Sequence, residues 1–211
     1  MRAVVFVNGI VSDYAALRRW LQPDDYLICA DGGSRHCVQL ELRPDVVVGD
    51  MDSADPAVLA TWQDAGTALE RHPTGKNQTD LELALERAIR DGAEDILLLG
   101  ALGGRLDQTL ANLLILAQRA WPARIRLAEG DQVAQILLDG EVMTLTGAVG
   151  DIVSVVPLSP EVTGITYAGL EYPLEGAALR LGSTRGISNV IAAHPATIAI
   201  DRGILLVVQS A

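Results

Sequence analysis

The sequence has few cysteines, no cluster of basic residues and no long apolar run. Its 211 residues include two cysteines, too few for a disulfide framework, and Cys29 lies in an apolar run as a small core residue would. The formal net charge is −11, and a nucleic-acid groove would need Lys/Arg clusters that this chain does not offer. No apolar stretch reaches the about 18 residues of a membrane span. We therefore expect a cytoplasmic globular protein without a nucleic-acid or membrane partner.

Several common catalytic motifs are also missing. The three histidines lack the spacing of zinc ligands, and neither a Ser/His/Asp arrangement nor a G-x-S-x-G elbow occurs. Lys76 follows a glycine, but Asn77 stands where a Walker A loop needs Ser or Thr. The first residues show no signal-peptide cleavage pattern and are interpreted as a first strand. The sequence therefore does not indicate a zinc site, a serine hydrolase or a Walker A nucleotide site.

The first 121 residues alternate between apolar runs and helical patterns. We expect strands within 3–9, 25–33, 43–50 and 94–104. Helical patterns follow at 14–21, 34–42, 55–66, 79–92 and 106–121. Continuous apolar strands that alternate with helices predict an α/β domain with a doubly wound, mainly parallel sheet and helices on both faces.

After Pro122 the pattern changes to short apolar runs separated by glycines. No convincing helix remains, and turn signals recur at roughly the 8–12-residue spacing of all-β domains. The boundary is expected between residues 123 and 140. We therefore predict an α/β domain at 1–130 and an all-β domain at 131–211.

Three loops at the predicted strand ends combine glycine with aspartate. They are ADGGS (30–34), GDMDS (49–53) and GALGGRLDQ (100–108). In a doubly wound sheet, ligands bind outside the carboxyl ends of the strands, near the point where the strand order reverses. One such loop is explained by helix capping, but three on one edge of a sheet indicate a binding site.

Asp50 and Asp52 are separated by one residue at the end of an apolar strand. Two carboxylates this close repel each other unless a proton or a cation lies between them. Carboxylate oxygens are preferred ligands of Mg²⁺, which bridges to substrate phosphates. A solvated acidic turn is the alternative interpretation of this pair.

The segment GGRLD (103–107) has the composition of an anion site. Gly103 and Gly104 allow backbone N–H groups to approach an anion at a helix N-terminus, and the guanidinium of Arg105 suits phosphate oxygens. The alternative is a tight turn in which Arg105 pairs with Asp107.

A further helix start carries polar residues at 79–82. Thr79 and Glu82 fit a capping box, whereas Asp80 could face the same edge of the sheet as the acidic pair. The residues alone thus indicate an α/β domain that handles a metal and phosphates, joined to a β domain, and they do not identify the substrate.

Five segments in register resemble the thiamine pyrophosphokinase family along nearly the whole chain. They are ADGGS (30–34), VVGDMDS (47–53), NQTDLELAL (77–85), LGALGGRLDQTLANL (99–113) and GISN (186–189). The resemblance implies an enzyme that transfers the terminal diphosphate of ATP to the hydroxyl of thiamine, giving thiamine diphosphate and AMP with Mg²⁺. It also implies a β-sandwich as the second domain and a homodimer with active sites between subunits.

The resemblance also assigns residues. The positions that match the metal and catalytic residues are Asp50, Asp52, Asp80 and, as a catalytic phosphate contact, Arg105. The positions on the nucleotide side are Asp31, Gly32, Thr79, Gly103, Gly104, Arg105 and Asp107. Ser188 and Asn189 match the motif that contacts thiamine.

Two positions depart from the family pattern. Asn77 stands where an aspartate is usual, which removes one anionic ligand, and Gln108 stands where a histidine is often found and cannot titrate near neutrality. Two alternative functions remain at this stage. One is a D-x-D nucleotide-sugar transferase with a metal-bound diphosphate, and the other is a non-catalytic thiamine or nucleotide sensor.

Overall fold

The computed structural model describes residues 1–210. By its internal contacts the chain divides into two compact units, Met1–Gly130 and Asp131–Ala211. We refer to them below as the amino-terminal unit and the carboxy-terminal unit.

The amino-terminal unit contains a parallel sheet. Its strands are β1 Arg2–Phe6, β2 Tyr26–Ala30, β3 Val46–Gly49, β4 Ala68–Arg71, β5 Asp95–Leu99 and β6 Arg124–Glu129. Within the unit the strand order is β6-β5-β1-β2-β3-β4, and each neighbouring pair is parallel. The chain builds outward from β1 to β4 and then places β5 on the other side of β1. The strand order therefore reverses between β1 and β5, which is where doubly wound folds bind ligands.

Helices connect these strands. They are α1 Tyr14–Arg18, α2 Ser34–Gln39, α3 Pro56–Asp64, α4 Asp80–Arg90 and α5 Leu106–Leu114. The side chains of Asp13, Asp55 and Thr79 accept backbone N–H groups at the starts of α1, α3 and α4. These caps satisfy donors that the first turn of a helix leaves without an intrahelical partner.

The helices cover both faces of the sheet. Val4 and Phe6 of β1 pack in one apolar cluster with Leu17 of α1, Cys37 of α2 and Leu59 of α3. Helix α4 packs against β1, β2 and β3, and its buried residues do not belong to that cluster. Since side chains alternate between the two faces of a strand, α4 covers the opposite face. The predicted doubly wound architecture is confirmed.

The carboxy-terminal unit consists of antiparallel strands. They are β7 Gln132–Leu137, β8 Val142–Thr144, β9 Ile152–Pro157, β10 Glu161–Ala168, β11 Ala177–Arg180, β12 Asn189–Val190, β13 Thr197–Ala199 and β14 Leu205–Ser210. Within this unit, β12-β9-β14-β7 form one sheet and β11-β10-β13-β8 form the other. Between 131 and 210, the described part of this unit, no helix is present.

Side chains from both sheets meet in one apolar core. Val155 of β9 and Val207 of β14 belong to the same buried cluster as Ile165 of β10 and Ile198 of β13. Two antiparallel sheets that share a core in this way form a β-sandwich. The fold class predicted for the second part of the chain is confirmed.

Two elements differ from the predicted pattern. The strand β4 was not predicted, because its sequence ALER carries two charged residues, and it lies at the edge of the sheet where burial is partial. Helix α5 ends at Leu114, earlier than the pattern to 121 indicated, and a short 3₁₀ turn follows. The Trp121 indole N–H donates to the carbonyl of Ile115 at 2.9 Å, which supplies that carbonyl with a partner from outside the helix.

Candidate active site

A cavity of about 280 Å³ lies at the carboxyl ends of the central strands of the amino-terminal unit. The loops after β1, β2 and β5 and the first turns of α4 and α5 form its walls. Its polar lining residues are Asn8, Asp31, Thr79, Asp80, Arg105, Gln108 and Asn112. The cavity is therefore located at the reversal of strand order between β1 and β5, as expected for a ligand site of this fold.

The loops after β1 and β5 touch through their backbones beside this cavity. The Gly9 N–H donates to the carbonyl of Gly100 at 2.7 Å, and a Cβ placed on Gly9 would lie 2.2 Å from the carbonyl oxygen of Leu102. The buried Asn112 amide donates to the carbonyl of Ala101 at 2.7 Å. Only glycine fits at position 9, and Asn112 fixes the loop from the side of α5.

Three aspartates meet at the ends of β2 and β3. Asp31, Asp50 and Asp52 each offer a carboxylate oxygen, and these oxygens lie within 4.8 Å of one another. Asp31 has φ 42°, and Met51 between the other two has φ 66°. The Met51 side chain is buried in the apolar core of the unit, and this anchors the turn that carries Asp50 and Asp52. The backbone is thus turned sharply at both strand ends to gather like charges.

Asp80 lies beside Asp31 across Gly49, outside the group formed by Asp31, Asp50 and Asp52. The φ of Gly49 is +149°, and an added Cβ would lie 2.8 Å from Asp31 Cβ and 3.1 Å from Asp80 Oδ1. These two side chains therefore lie across the bare backbone of Gly49. A larger residue at this position would push them away, because φ in this range also disfavours a side chain.

The environment of Asp31 disfavours its ionised form. Burial raises the pKa of the Asp31 carboxyl, and the carboxylates of Asp80 and Asp50 raise it further, against a lowering by hydrogen bonds with Ser53 and the Gly32 N–H. Its Oδ1 is buried, and none of the described residues hydrogen-bonds it. A buried anionic oxygen without a partner, beside two further carboxylates, fits a divalent cation with oxygen ligands.

The start of α4 supplies a cap and an ion pair. Thr79 Oγ1 accepts from the Glu82 N–H at 3.2 Å, while the Glu82 carboxylate accepts from Gln118 instead of returning to Thr79. The expected capping box is therefore half formed. Asp80 Oδ1 lies 2.6 Å from Lys76 Nζ in an ion pair, although the angles are not those of a hydrogen bond.

The GGRLD loop opens α5 at the other side of the cavity. Gly103 and Gly104 have φ of 80° and 75°, so both glycines use backbone conformations that other residues disfavour. The Arg105 guanidinium pairs with the Asp107 carboxylate at 2.5 Å, and both side chains are exposed. This pairing raises the pKa of Arg105 and lowers that of Asp107. Arg105 therefore both lines the cavity and forms an ion pair with Asp107.

His36 lies under the loop after β5 as a neutral imidazole. Burial, with a smaller contribution from the Arg35 charge, lowers the pKa of His36 to about 4. Its Nδ1 lies 2.8 Å from the Tyr14 hydroxyl, and an added Cβ at Gly100 would lie 2.9 Å from its Nε2. His36 is thus a support for this loop and is unsuited to general acid–base catalysis near neutral pH.

The two predicted thiamine residues lie at the start of β12 in the carboxy-terminal unit. Ser188 is exposed with φ 61°, and its N–H donates to Ser154 Oγ at 2.9 Å. Asn189 is buried. Its amide donates to the Tyr172 carbonyl at 2.8 Å and accepts from the Tyr172 and Val190 N–H groups at 3.0 and 2.9 Å. The Asn189 side chain therefore has a structural function, and the hydroxyl of Ser188 is the more accessible group.

Comparison with known proteins identifies the family of both units. Residues 17–127 match the family model "Thiamin pyrophosphokinase, catalytic domain", and residues 141–205 match "Thiamin pyrophosphokinase, vitamin B1 binding domain". The chain belongs to the thiamine pyrophosphokinase family. The resemblance noted in the sequence is confirmed, as is the prediction that the chain is an enzyme of this family.

Individual relatives agree with this family. The chain is 30% identical to the thiamine pyrophosphokinase of Bacillus subtilis (strain 168) over 184 residues, which cover 87% of this chain and 86% of the relative. Thiamine pyrophosphokinase 1 of Oryza sativa subsp. japonica is 26% identical and is covered to 76%. These matches extend over most of each relative, so both units are shared.

Solved structures of thiamine pyrophosphokinases have the same fold. The Bacillus subtilis structure superposes with a TM-score of 0.85 at 24% identity, with 100% of this chain and 99% of that chain covered. The Geobacillus thermodenitrificans structure gives a TM-score of 0.80 at 29% identity, with 100% and 98% covered. No helix formed by residues 1–210 is long and apolar enough to cross a membrane.

The two residues that differ from the family pattern, Gln108 and Asn77, lie in different surroundings. Gln108 lines the cavity from the first turn of α5. Asn77 is exposed, and it is not among the described residues that line the cavity. The carboxylates of Asp31, Asp50 and Asp52 come together without a contribution from Asn77.

Sequence reasoning missed several residues of the site. Asn8 and Gly9 follow β1 and line the cavity, and Lys76 pairs with Asp80 at its edge. The Asn-Gly pair at the end of the first apolar run was a signal comparable to the three loops that were noticed. The contacts of Gly49 and Asn112 depend on the packing of distant segments, so no sequence signal indicated them.

Proposed function

We propose that the protein transfers the terminal diphosphate of ATP to the hydroxyl of thiamine and releases AMP, in a Mg²⁺-dependent reaction. The observation that carries the proposal is the meeting of Asp31, Asp50 and Asp52 beside a cavity at the β1–β5 reversal, in a chain of this family. In this reaction the thiamine hydroxyl attacks the β-phosphorus and AMP leaves in line. Such a transition state mainly requires positioning and charge neutralisation.

The acidic residues would hold the metal. Asp50, Asp52 and Asp80 are the proposed Mg²⁺ ligands. Asp31 rather than Asp80 groups with Asp50 and Asp52, its unpartnered Oδ1 supports an oxygen-ligated cation there, and Asp80 lies beside it across Gly49. When bound, Mg²⁺ would supply neutralisation of the phosphate charge. Without a cation, the four carboxylates and the phosphates would repel each other.

The loop residues would bind the nucleotide phosphates. The N–H groups of the Gly103–Gly104 turn at the start of α5 suit phosphate oxygens, and the fork of Arg105 suits them as well. Arg105 would leave Asp107 and pair with a phosphate instead. Because both side chains are exposed, loss of the Arg105–Asp107 ion pair would cost little free energy. Thr79 lines the cavity from the start of α4, whereas Gly32 follows the lining residue Asp31 and is not among the described residues that line the cavity.

Incubation of the protein with ATP, MgCl₂ and thiamine tests this function. Thiamine diphosphate and AMP should appear in equal amounts, and omission of thiamine or addition of EDTA should abolish both. Production of ADP instead of AMP would exclude a diphosphate transfer. Thiamine binding without AMP formation would favour a sensor, and turnover of a nucleotide sugar would favour the D-x-D transferase.

We propose that thiamine contacts Ser188 in the carboxy-terminal unit. Ser188→Ala is expected to raise the thiamine KM about 10-fold and leave the ATP KM within a factor of two, because one substrate hydrogen bond is lost. Asn189→Ala is expected to lower the free energy of unfolding by about 2–3 kcal/mol, since the backbone groups of Tyr172 lose their partners. Steady-state kinetics and thermal melts distinguish the two. A larger rise in the ATP KM of Ser188→Ala would reject the assignment.

We further propose a cytoplasmic homodimer. Leu106, Leu110 and Leu114 are all exposed and follow the i, i+4, i+8 spacing of one face of α5, which adjoins the cavity through Arg105. An apolar helix face of this kind supports an interface that includes the active site. The two free, buried cysteines support a reducing compartment.

Leu110→Glu is expected to convert the dimer to a monomer, because it would bury a charge in an apolar contact. Light scattering after size-exclusion chromatography measures the mass, and Val142→Glu, on an apolar residue of the other unit that is also exposed, serves as the control. A monomeric wild type, or a Leu110→Glu variant that is still dimeric, would refute this interface.

A further inference from the structure

Lys76 is the only lysine of the chain. The other fifteen cationic side chains apart from histidine are arginines, and arginine supplies the cation in the ion pairs of Glu70, Asp95 and Asp25. Arginine binds carboxylates with a rigid fork, whereas lysine carries a compact charge on a flexible stem. The one position with lysine lies between β4 and α4, at the edge of the acidic group described above.

Lys76 is held against the site by its contact with Asp80. Its Nζ lies 2.6 Å from Asp80 Oδ1, and its side chain is only 15% exposed. This same Asp80 oxygen is buried and points to Gly49 and, across it, to Asp31. The Lys76 ammonium group is therefore paired with the carboxylate of Asp80, one of the proposed Mg²⁺ ligands.

Stabilisation of α4 does not explain this lysine. Lys76 precedes the helix start, where the helix dipole disfavours a cation, and the first turn already carries Asp80 and Glu82. The pair is four residues apart, but Lys76 lies outside the helix, so it is not a pair on one helix face. The position of the charge is instead explained by the carboxylates: Asp31, Asp50 and Asp52 form one group, and Asp80 lies beside Asp31 across Gly49.

We propose that Lys76 is a displaceable counter-cation and a phosphate-binding residue. Its ammonium neutralises Asp80, and it would move to the nucleotide phosphates if Asp80 held a divalent cation. A divalent cation held by Asp80 and an ammonium group on the same carboxylate would repel each other strongly. The inference rests on the proposed function, because it requires both a metal and a polyphosphate at this site.

The exchange predicts that removal of the Lys76 ammonium changes the affinity for metal and the affinity for nucleotide in opposite directions. Metal binding without nucleotide has to displace Lys76, so removal of the ammonium should strengthen it. Nucleotide binding gains the contact with Lys76, so removal should weaken it. A lysine that only supported the loop would affect both affinities in the same direction or neither.

The first measurement uses Mn²⁺ alone, followed by electron paramagnetic resonance with no nucleotide present. Lys76→Met is expected to bind Mn²⁺ about 10-fold more tightly than the wild type, and Lys76→Arg should stay within a factor of two to three. Arg202→Met removes an exposed positive charge from the other unit and controls for net charge. Melting temperatures of the variants verify that each is folded.

The second measurement uses α,β-methylene-ATP with Mg²⁺ in a calorimetric titration, because its α–β linkage cannot be cleaved. Lys76→Met should bind this analogue about 10-fold more weakly, with Lys76→Arg between it and the wild type. Equal Mn²⁺ affinity of wild type and Lys76→Met would overturn the exchange while leaving the proposed function intact. Equal affinity for the analogue would overturn the phosphate contact. If neither protein bound Mn²⁺, the metal site of the proposed function would fail as well.

The single lysine also permits direct observation. Protein grown with [¹³Cε]-lysine has one lysine signal, because position 76 is the only one labelled. Addition of Mg²⁺ and α,β-methylene-ATP should shift that signal, and Asp80→Asn should shift it before any ligand is added. An unmoved signal in both experiments would contradict the proposal.

Discussion

Replacement of Asp50 by asparagine is expected to lower turnover by about 100-fold or more while the melting temperature stays within about 2 °C of the wild type. Asp50 shares a cluster with Asp31 and Asp52, and its ionised oxygens are needed for a cation between the protein and the nucleotide. Asparagine has nearly the same shape, so the turn after β3 is retained. What is lost is a formal negative charge at the metal, and with it neutralisation of the transferring diphosphate.

Two measurements separate this effect from unfolding. Asp64→Asn, at the exposed end of α3, is the matched control and should keep full turnover. Mn²⁺ affinity of Asp50→Asn should fall together with turnover, whereas thiamine affinity should be retained. A variant with normal turnover and a melting temperature lowered by many degrees would show that Asp50 is a structural residue and that the metal belongs elsewhere.

The fold was predictable where one kind of pattern dominates. The strands β1, β2, β3 and β5 are apolar runs because both faces of the sheet are covered by helices. The edge strand β4 was missed because its residues are half-buried or exposed and two of them are charged. Its Glu70 instead forms ion pairs with Arg87 and Arg90 of α4, which secure the strand without an apolar run.

The approach of Asp31 to Asp50 was predictable because both residues follow apolar strands in the sequence, and the topology makes these strands neighbours. Parallel strands present their carboxyl ends at one edge, so Asp31 and Asp50 must lie near each other if β2 and β3 are neighbours. Arg105 was predicted as a phosphate contact or as a partner of Asp107, and the structure has the ion pair. Both predictions are compatible, since an exposed ion pair is readily exchanged.

Contacts that depend on a single tertiary approach could not be predicted. Gly49 separates Asp31 from Asp80 only because α4 begins directly beside β3. The contact of Lys76 with Asp80 depends on the same placement of α4, and the sequence of the loop around Lys76 does not indicate it. Asn189 was predicted as a thiamine contact, a prediction that stays untested, while its hydrogen bonds with Tyr172 could be seen only in three dimensions.

The crowded carboxylates should destabilise the folded protein when a chelator removes divalent cations, and a variant of Asp31 measures this effect. Asp31→Asn is expected to raise the melting temperature in EDTA by about 2 °C or more, and to lower turnover by about 100-fold. The carboxylate is buried, one oxygen has no partner among the described residues, and Asp50 and Asp80 face it. An amide removes the charge repulsion at the same volume, so stability rises as function is lost.

The dependence on pH follows from the direction of the pKa shift. The folded-state pKa of Asp31 is raised above its ordinary value, mainly by burial, so the ionised carboxylate destabilises the folded state at neutral pH. As pH falls through that raised pKa, the wild type takes up the proton and regains stability. The advantage of Asp31→Asn in EDTA should therefore shrink as the solution is acidified.

A divalent cation should reverse the order of the two proteins. With Mg²⁺ and α,β-methylene-ATP at concentrations well above their dissociation constants, the wild type gains stability from ligands that bind only the folded state. Asp31→Asn should gain less, because a neutral amide replaces an anionic carboxylate of the group. Asp45→Asn is the control, since the Asp45 carboxylate accepts the Leu27 N–H at 2.8 Å and its replacement should not raise the melting temperature. If Asp31→Asn were less stable than the wild type in EDTA, the Asp31 carboxylate would be satisfied without a metal, and the cation would have to be assigned to Asp50, Asp52 and Asp80 alone.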